Sequence, residues 1–192
     1  MNEEPETFCP KNRTEWRDWL NKNSLGKQSV WLIYFKKSSQ TPSISYSEAV
    51  DEALCFGWID STRKSLDEER FMQFFCKRKP NSGWSKINKG KIEVLTKQGL
   101  MTKAGQDSIE TAKQNGSWTI LDEVEELLIP QDLELAFLAK PGSADYFSGL
   151  SKSNKKMILQ WIAVAKRAET RTKRIDEIVD LASKKQKPKF VG

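Results

Sequence analysis

Apolar positions in the first sixty residues change period in a way that predicts helix, strand, helix in turn. In RTEWRDWLNKN, residues 13–23, Trp16, Trp19 and Leu20 recur at i, i+3 and i+4 while Arg13, Glu15, Arg17 and Asp18 are left to water, which predicts an amphipathic helix. After Gly26 the run VWLIYFKK at 30–37 is β-branched and aromatic throughout, too apolar for an exposed edge and too short for a core helix, so it reads as a central strand. Pro42 and its flanking serines form a loop, and Ser45 or Ser47 then caps a helix, SEAVDEALCFG, that Gly57 ends. WIDSTRKSL (58–66) and RFMQFFCKRK (70–79) flank the short polar stretch 67–69 as an antiparallel hairpin.

Beyond the loop PNSGWS the pattern becomes helical. A helix over 86–97 closes at Gly99, and Thr102 caps another that closes at Gly116. The acidic stretch LDEVEELL precedes Pro130, whose fixed φ suits the first turn of a helix carrying Leu133, Phe137 and Leu138 up to Pro141 and Gly142. From Ser153 onward Met157, Ile158, Trp161, Ile162 and Ala165 keep helical spacing, and Ile175, Ile178, Val179 and Ala182 keep it again, with a break near Ala168 and Thr170 as the second cap. The tail KKQKPKFVG reads as frayed. The fold class is therefore α+β: a small antiparallel or mixed sheet with helices in residues 1–85, and a helical part over 86–192 ending in a basic helical pair, the two making one compact unit.

Composition narrows the chemistry. Histidine is absent, which removes the usual general base, zinc ligand and proton switch near neutral pH. Cys9, Cys55 and Cys76 are odd in number and far apart, with no CxxC pair; they fit reduced thiols in a cytoplasmic protein, and neither a metal nor a cofactor is implied. Cys55 beside Phe56 reads as a small buried hydrophobe, not a nucleophile. No apolar run is long enough to span a bilayer, and MNEEPETFC has neither the charged nor the apolar region of a leader, so membrane insertion and export are not expected.

The net charge of +6 is unevenly distributed: −2 over residues 1–60, +6 over 61–120, −6 over 121–150 and +8 over 151–192. Alternating sign of this kind points either to an anionic partner, such as nucleic acid or another polyanion, or to surfaces that answer one another within the fold. Two groups of residues bear on the choice. Lys166, Arg167, Arg171, Lys173 and Arg174 gather cations across one helix end and the next helix start, where guanidinium groups and free amides can hold phosphate. Arg171 and Arg174 can equally pair with Glu169, Asp176, Glu177 or the acids of 121–134. Around the hairpin, Trp58, Asp60, Ser61, Arg78, Lys79, Ser82, Trp84, Ser85 and Asn88 mix aromatic, cationic and small polar groups, as a stacking site with phosphate contacts does. The alternative is that Trp58 and Trp84 are core anchors, Asp60 a cap or ion-pair partner, and the serines turn and cap residues.

The segment WIAVAKRAETRTKRI at 161–175 resembles the C-terminal signature of the bacterial YdeI/OmpD-associated, or bacteriocin-protection, family. EAVDEALCFGWIDS (48–61), KRKPNSGWSKIN (77–88) and GLMTKAGQDSIETAKQNGSW (99–118) resemble the same family in the same order, so the likeness runs over roughly residues 8–183. It implies a cytoplasmic accessory role in stress, bacteriocin or cationic-peptide tolerance, and no catalytic mechanism comes with it. Because a +6 protein repels cationic peptides at long range, direct capture of one would have to use the acidic 121–134 stretch. A nucleic-acid or other polyanion-binding module, and a small-molecule enzyme working without histidine or metal, are the alternative readings.

Overall fold

A computed structural model describes residues 6–191, and Met1–Pro5 of the stretch read for a leader lie outside the described residues. The described chain is α+β and divides into two compact units, Met1–Ser82 with Ile87–Asn115, and Gly83–Lys86 with Gly116–Gly192. In the first, a four-stranded mixed sheet runs in the order β1-β2-β4-β3, with β1 Thr7–Phe8, β2 Ser29–Phe35, β3 Trp58–Ser65 and β4 Arg70–Lys77. β1 is parallel to β2 and the other pairings are antiparallel. Helix α2 (Tyr46–Cys55) carries the chain from β2 to β3, a crossover whose two strands have β4 between them.

The expected helix over 13–23 is α1, Arg13–Asn23, with Asn12 accepting from Glu15 N–H at its start. Between the two serines before α2 the structure selects Ser45, which forms a reciprocal capping box with Glu48. Along β2 and β4, Val30, Leu32, Tyr34, Gln73 and Phe75 are buried beneath α1 and α2, and Trp16 of α1 packs edge-on against Phe75 with ring centroids 5.5 Å apart. Trp58 is fully buried, its ring edge-on to Trp19. The opposite sheet face carries Trp31 against Phe74, with Lys64 over the Trp31 ring.

Helices α3 (Lys86–Lys97, whose first residue groups with the second unit) and α4 (Lys103–Gln114) complete the first unit. Thr102 caps α4 and its hydroxyl also donates to Cys55 O at 2.7 Å, which draws α4 onto the end of α2. The approach is so close that a Cβ at Gly105 would stand 2.2 Å from that same carbonyl.

The second unit is helical: α5 Asp122–Glu125, α6 Gln131–Leu138, α7 Ser143–Gly149, α8 Lys152–Ala163 and α9 Ala168–Ser183. Leu133, Phe137, Phe147, Ile158, Ile162 and Ile178 lie at the centre of its core. Trp84, also fully buried, packs on Trp118 in this unit.

Several expectations are corrected. β2 ends at Phe35 and β4 at Lys77, two residues short of the expected limits, although the Lys36 and Arg78 amides still donate to Glu69 O and Gly57 O. Helix α8 starts at Lys152, one residue before the expected start at Ser153, with Ser151 as its cap. Thr170 lies inside α9, which starts at Ala168; Ala168 and Glu169 both favour the helix, and a carboxylate in the first turn suits its unpaired amides. Helix α7 follows Gly142, whose φ of 80° lets the chain turn straight from one helix into the next. The tail is ordered as far as Val191, which is buried, with Phe190 against the ring of Trp161; burying these apolar groups offsets the cost of ordering them. Among the described residues no helix is long and apolar enough to cross a membrane.

Candidate functional site

The sheet unit contains a cleft of about 460 Å³ where the inward face of the sheet meets the loop from Lys36 to Ser45 and the first turn of α2. Its size falls in the range of small-molecule sites, roughly 300–1,000 Å³. Tyr34, the last inward position of β2, is opposite Phe71 of β4, and the two rings stack in parallel with centroids 4.8 Å apart. The loop is tied back to the strand by Phe35 N–H donating to Ser43 Oγ at 3.1 Å. That bond holds the serine-rich wall against the aromatic one.

A bulge in β3 brings a cation to the same face. Asp60 pairs with Phe75 and Arg63 with Gln73, so three residues of β3 span what two residues of β4 span. Regular alternation would put Asp60 and Arg63 on opposite faces; the extra residue returns Arg63 to the cleft side. Its guanidinium lies 3.9 Å from the centre of the Phe71 ring, a cation–π contact that restrains the side chain. Arg63 makes no hydrogen bond or ion pair among the described residues, so its donors remain available.

Asp60 and Gln73, which do not line the cleft, form a polar cluster on the same sheet face and are tied to it through Tyr46. Tyr46 Oη donates to Asp60 Oδ2 at 2.7 Å, and Gln73 Nε2 donates to Ser61 O at 2.8 Å and reaches Asp60 Oδ2 at 3.3 Å. The Tyr34 hydroxyl is buried and has no hydrogen-bond partner among the described residues. Burial, and secondarily the charge of Asp60, pushes Tyr34 above its ordinary value, and burial together with the bond to Asp60 does the same to Tyr46. Burial pushes the buried thiol of Cys55 up to about 11 and lowers Arg78 to about 10, where it is still cationic at neutral pH. These are hydrogen-bonding groups held in their protonated forms. Among the described residues no group of three His, Cys, Asp or Glu gathers closely enough to hold a metal ion.

The residues singled out around the hairpin separate. Trp58, Asp60, Ser61, Arg78, Lys79, Ser82 and Asn88 belong to the sheet unit, whereas Trp84 and Ser85 belong to the helical one. Asp60 accepts from Tyr46 behind the cleft lining, Ser61 O accepts from Gln73, and Trp58 is core. Ser82 closes a turn by donating its N–H to Lys79 O, and Lys79 is exposed. Tyr34, Tyr46, Arg63, Phe71 and Gln73 were not singled out beforehand. One sign was present: Gln73 is a polar residue between Phe71 and Phe75 at an inward position of the strand, where an uncompensated amide is costly.

The cationic joint between α8 and α9 is largely answered from within its own unit. Arg171 Nη2 donates to Asp132 Oδ1 at 2.9 Å as part of a two-pronged pair that lowers Asp132 and raises Arg171. Lys173 pairs with Glu169, and Arg174 stacks on the Trp161 ring and donates to its carbonyl. Lys166 and Arg167 are exposed, with no ion pair among the described residues. The acids are engaged in turn: Glu125 binds Lys156 and the Lys86 amide, and Glu126 binds the Lys86 ammonium.

Two family models match the chain. Residues 8–108, more than half of it, match a domain of unknown function, DUF8412. Residues 126–185 match the family described as Bacteriocin-protection, YdeI or OmpD-Associated. The upstream segments that resemble the latter thus fall mostly within the span of the former, and the cleft lies wholly there. No curated protein and no solved structure matches the chain. The chain belongs to the DUF8412 family, whose model spans more than half of it, and over residues 126–185 it is similar to the family described as Bacteriocin-protection, YdeI or OmpD-Associated.

Proposed function

We propose that this chain is a non-enzymatic accessory factor in stress or bacteriocin tolerance that acts by binding a small polar molecule in the cleft of its sheet unit. The observation that carries the reading is the cleft itself, lined by Tyr34, whose buried hydroxyl has no hydrogen-bond partner among the described residues and becomes available where side chains of the lining shift on binding. A buried hydroxyl left unpaired costs about 1–3 kcal/mol, and a folded chain retains such a cost where a ligand supplies the missing bond. Aromatic side walls and a few polar groups on a rigid sheet are what selective binding of a small molecule requires.

Binding is favoured over catalysis by the direction of the protonation equilibria. Tyr34, Tyr46 and Cys55 are all pushed up, away from the values that make a base or nucleophile at neutral pH. The link to tolerance comes from the family of the helical unit, and a ligand-sensing or sequestering step agrees with it without direct capture of a cationic peptide, for which few acids of 121–134 remain uncommitted.

Tyr34→Phe separates this role from packing. The variant should fold with its stability unchanged or raised by about 1 kcal/mol, since it deletes an unpaired hydroxyl, and should lose the melting-temperature increase that a metabolite library produces in the wild type. A wild type that responds to no compound, together with a variant destabilised by more than about 1 kcal/mol, would make Tyr34 a structural residue and end the reading. In cells, a deletion strain complemented with Tyr34→Phe should remain as bacteriocin-sensitive as the deletion itself.

A further inference from the structure

We infer that residues 186–191 are the resident occupant of a peptide groove in the helical unit, and that the groove exchanges this tail for a partner protein's segment of the pattern Pro-x-aromatic-aliphatic. The groove belongs to the other unit from the cleft, so the inference does not rest on the ligand-binding reading above.

Helix α9 ends at Ser183, and the chain turns back at Lys185, whose φ of 55° is a left-handed conformation that a residue with a Cβ adopts at a cost. Two amides close this turn: Lys185 N–H donates to Ala182 O at 3.0 Å and Gln186 N–H to Leu181 O at 2.9 Å. Val191 N–H then donates to Pro188 O at 2.9 Å within the tail itself. These bonds are local, and the apolar anchors of the tail are Pro188, Phe190 and Val191. Pro188 and Val191 are buried, the latter in the core cluster, and the Phe190 ring meets that of Trp161 with centroids 4.8 Å apart. Lys189 between them is exposed, so the pattern the groove reads leaves that position free.

The receiving surface is held without the tail. The Arg174 guanidinium lies 4.8 Å from the centre of the Trp161 ring and donates to Trp161 O, which fixes the indole whether or not Phe190 is on it. A platform ordered in advance loses little freedom when a second segment takes the place of the first. Trp161 and Arg174 both fall within residues 126–185, which match the bacteriocin-protection family model, whereas the tail follows the end of that match. The platform is thus part of the family module, and its occupant is not. A short segment held by three apolar anchors sits at the low-stability end of a fold and opens without global unfolding. While it is closed it competes with any other segment, so a partner binds in proportion to the fraction of molecules whose tail is open.

Fluorescence anisotropy of a labelled, amidated peptide of residues 184–191, titrated with the full chain, tests this. The peptide should bind the double variant Phe190→Ser, Val191→Ser about fivefold or more tightly than it binds the wild type, because the tethered tail no longer competes. Phe190→Ser or Val191→Ser made in the peptide should abolish binding, whereas Lys189→Ala in the peptide should leave it unchanged. Adding Trp161→Ala to the double variant of the chain should lose the peptide. In the wild type, hydrogen exchange should find the Val191 amide opening far faster than the amides of α8 and α9. A peptide that binds neither protein would overturn the inference. Equal binding of the serine-substituted peptide would overturn it too, since that pattern marks charge attraction by the lysines. So would a double variant in which α8 and α9 lose their protection, because Val191 would then be a fixed part of the core and not an exchangeable occupant.

Discussion

Glu52 is the most consequential charged residue of the sheet unit outside the cleft. Its side chain is 1% exposed, and it bonds to Arg13 and to Arg17, the latter at 2.6 Å, while Arg17 also reaches Leu100 O at 2.8 Å. Removing the charge leaves two guanidinium groups facing an uncompensated site. Glu52→Gln should therefore lower stability by about 3 kcal/mol, read as a shift in the urea midpoint at constant slope. In the helical unit, hydrogen bonds from Lys140 and then Lys184 hold the Asp180 carboxyl at about 2. A folded value below the unfolded one means that the contribution of Asp180 is present above the ordinary aspartate range and is lost as pH falls toward about 2. Carboxyl-carbon NMR should find the Asp180 midpoint near 2, and Lys140→Met with Lys184→Met should return it toward about 4. An ordinary midpoint in the wild type would show those lysines to be disengaged in solution.

At the scale of elements, two local features set the site and the packing around it. The first is the bulge in β3, which puts Arg63 on the cleft side and Lys64 over Trp31 on the other. The hairpin itself was legible in the sequence, since polar residues separate two strand-like runs. The bulge was not, because WIDSTRKS contains no glycine to mark it and either register satisfies local propensity. The second is the contact of α4 with the end of α2. Gly105→Ala would drive a methyl group into Cys55 O, so the helices must part; a loss of about 3 kcal/mol or failure to fold is expected by thermal unfolding. Thr102 was legible as the cap of α4, but its second bond to Cys55 joins residues 47 positions apart and has no local signature.

At the scale of the whole molecule, each unit has its own apolar centre. The main core cluster of the helical unit is built from residues between Leu121 and Val191, whereas Trp16, Leu32, Leu54 and Phe75 belong to the sheet unit. Leu133 is fully buried in the former, and Leu133→Ala should cost about 3 kcal/mol there. Hydrogen exchange should show protection falling across α6, α8 and α9 while the amides of β2 and β4 keep theirs. Uniform loss across both units would mean that they unfold as a single cooperative body.

The sequence by itself determined many elements of this protein: α1, the strand β2, the hairpin, the cap of α4, and the periodicity of α8 and α9 all follow from spacing and cap chemistry, which are local. The segment from Trp161 to Ile175 marked the family by the resemblance of its residues, not by its spacing. Only the tertiary structure decided which charges were already answered, because Arg171 meets Asp132 across 39 residues and ion pairing depends on distance in space, not in sequence. It alone also assembled Tyr34, Tyr46, Arg63 and Phe71 into one cleft, since strand order, register and a single bulge are settled by packing the sheet beneath two helices and not by any residue's own preference.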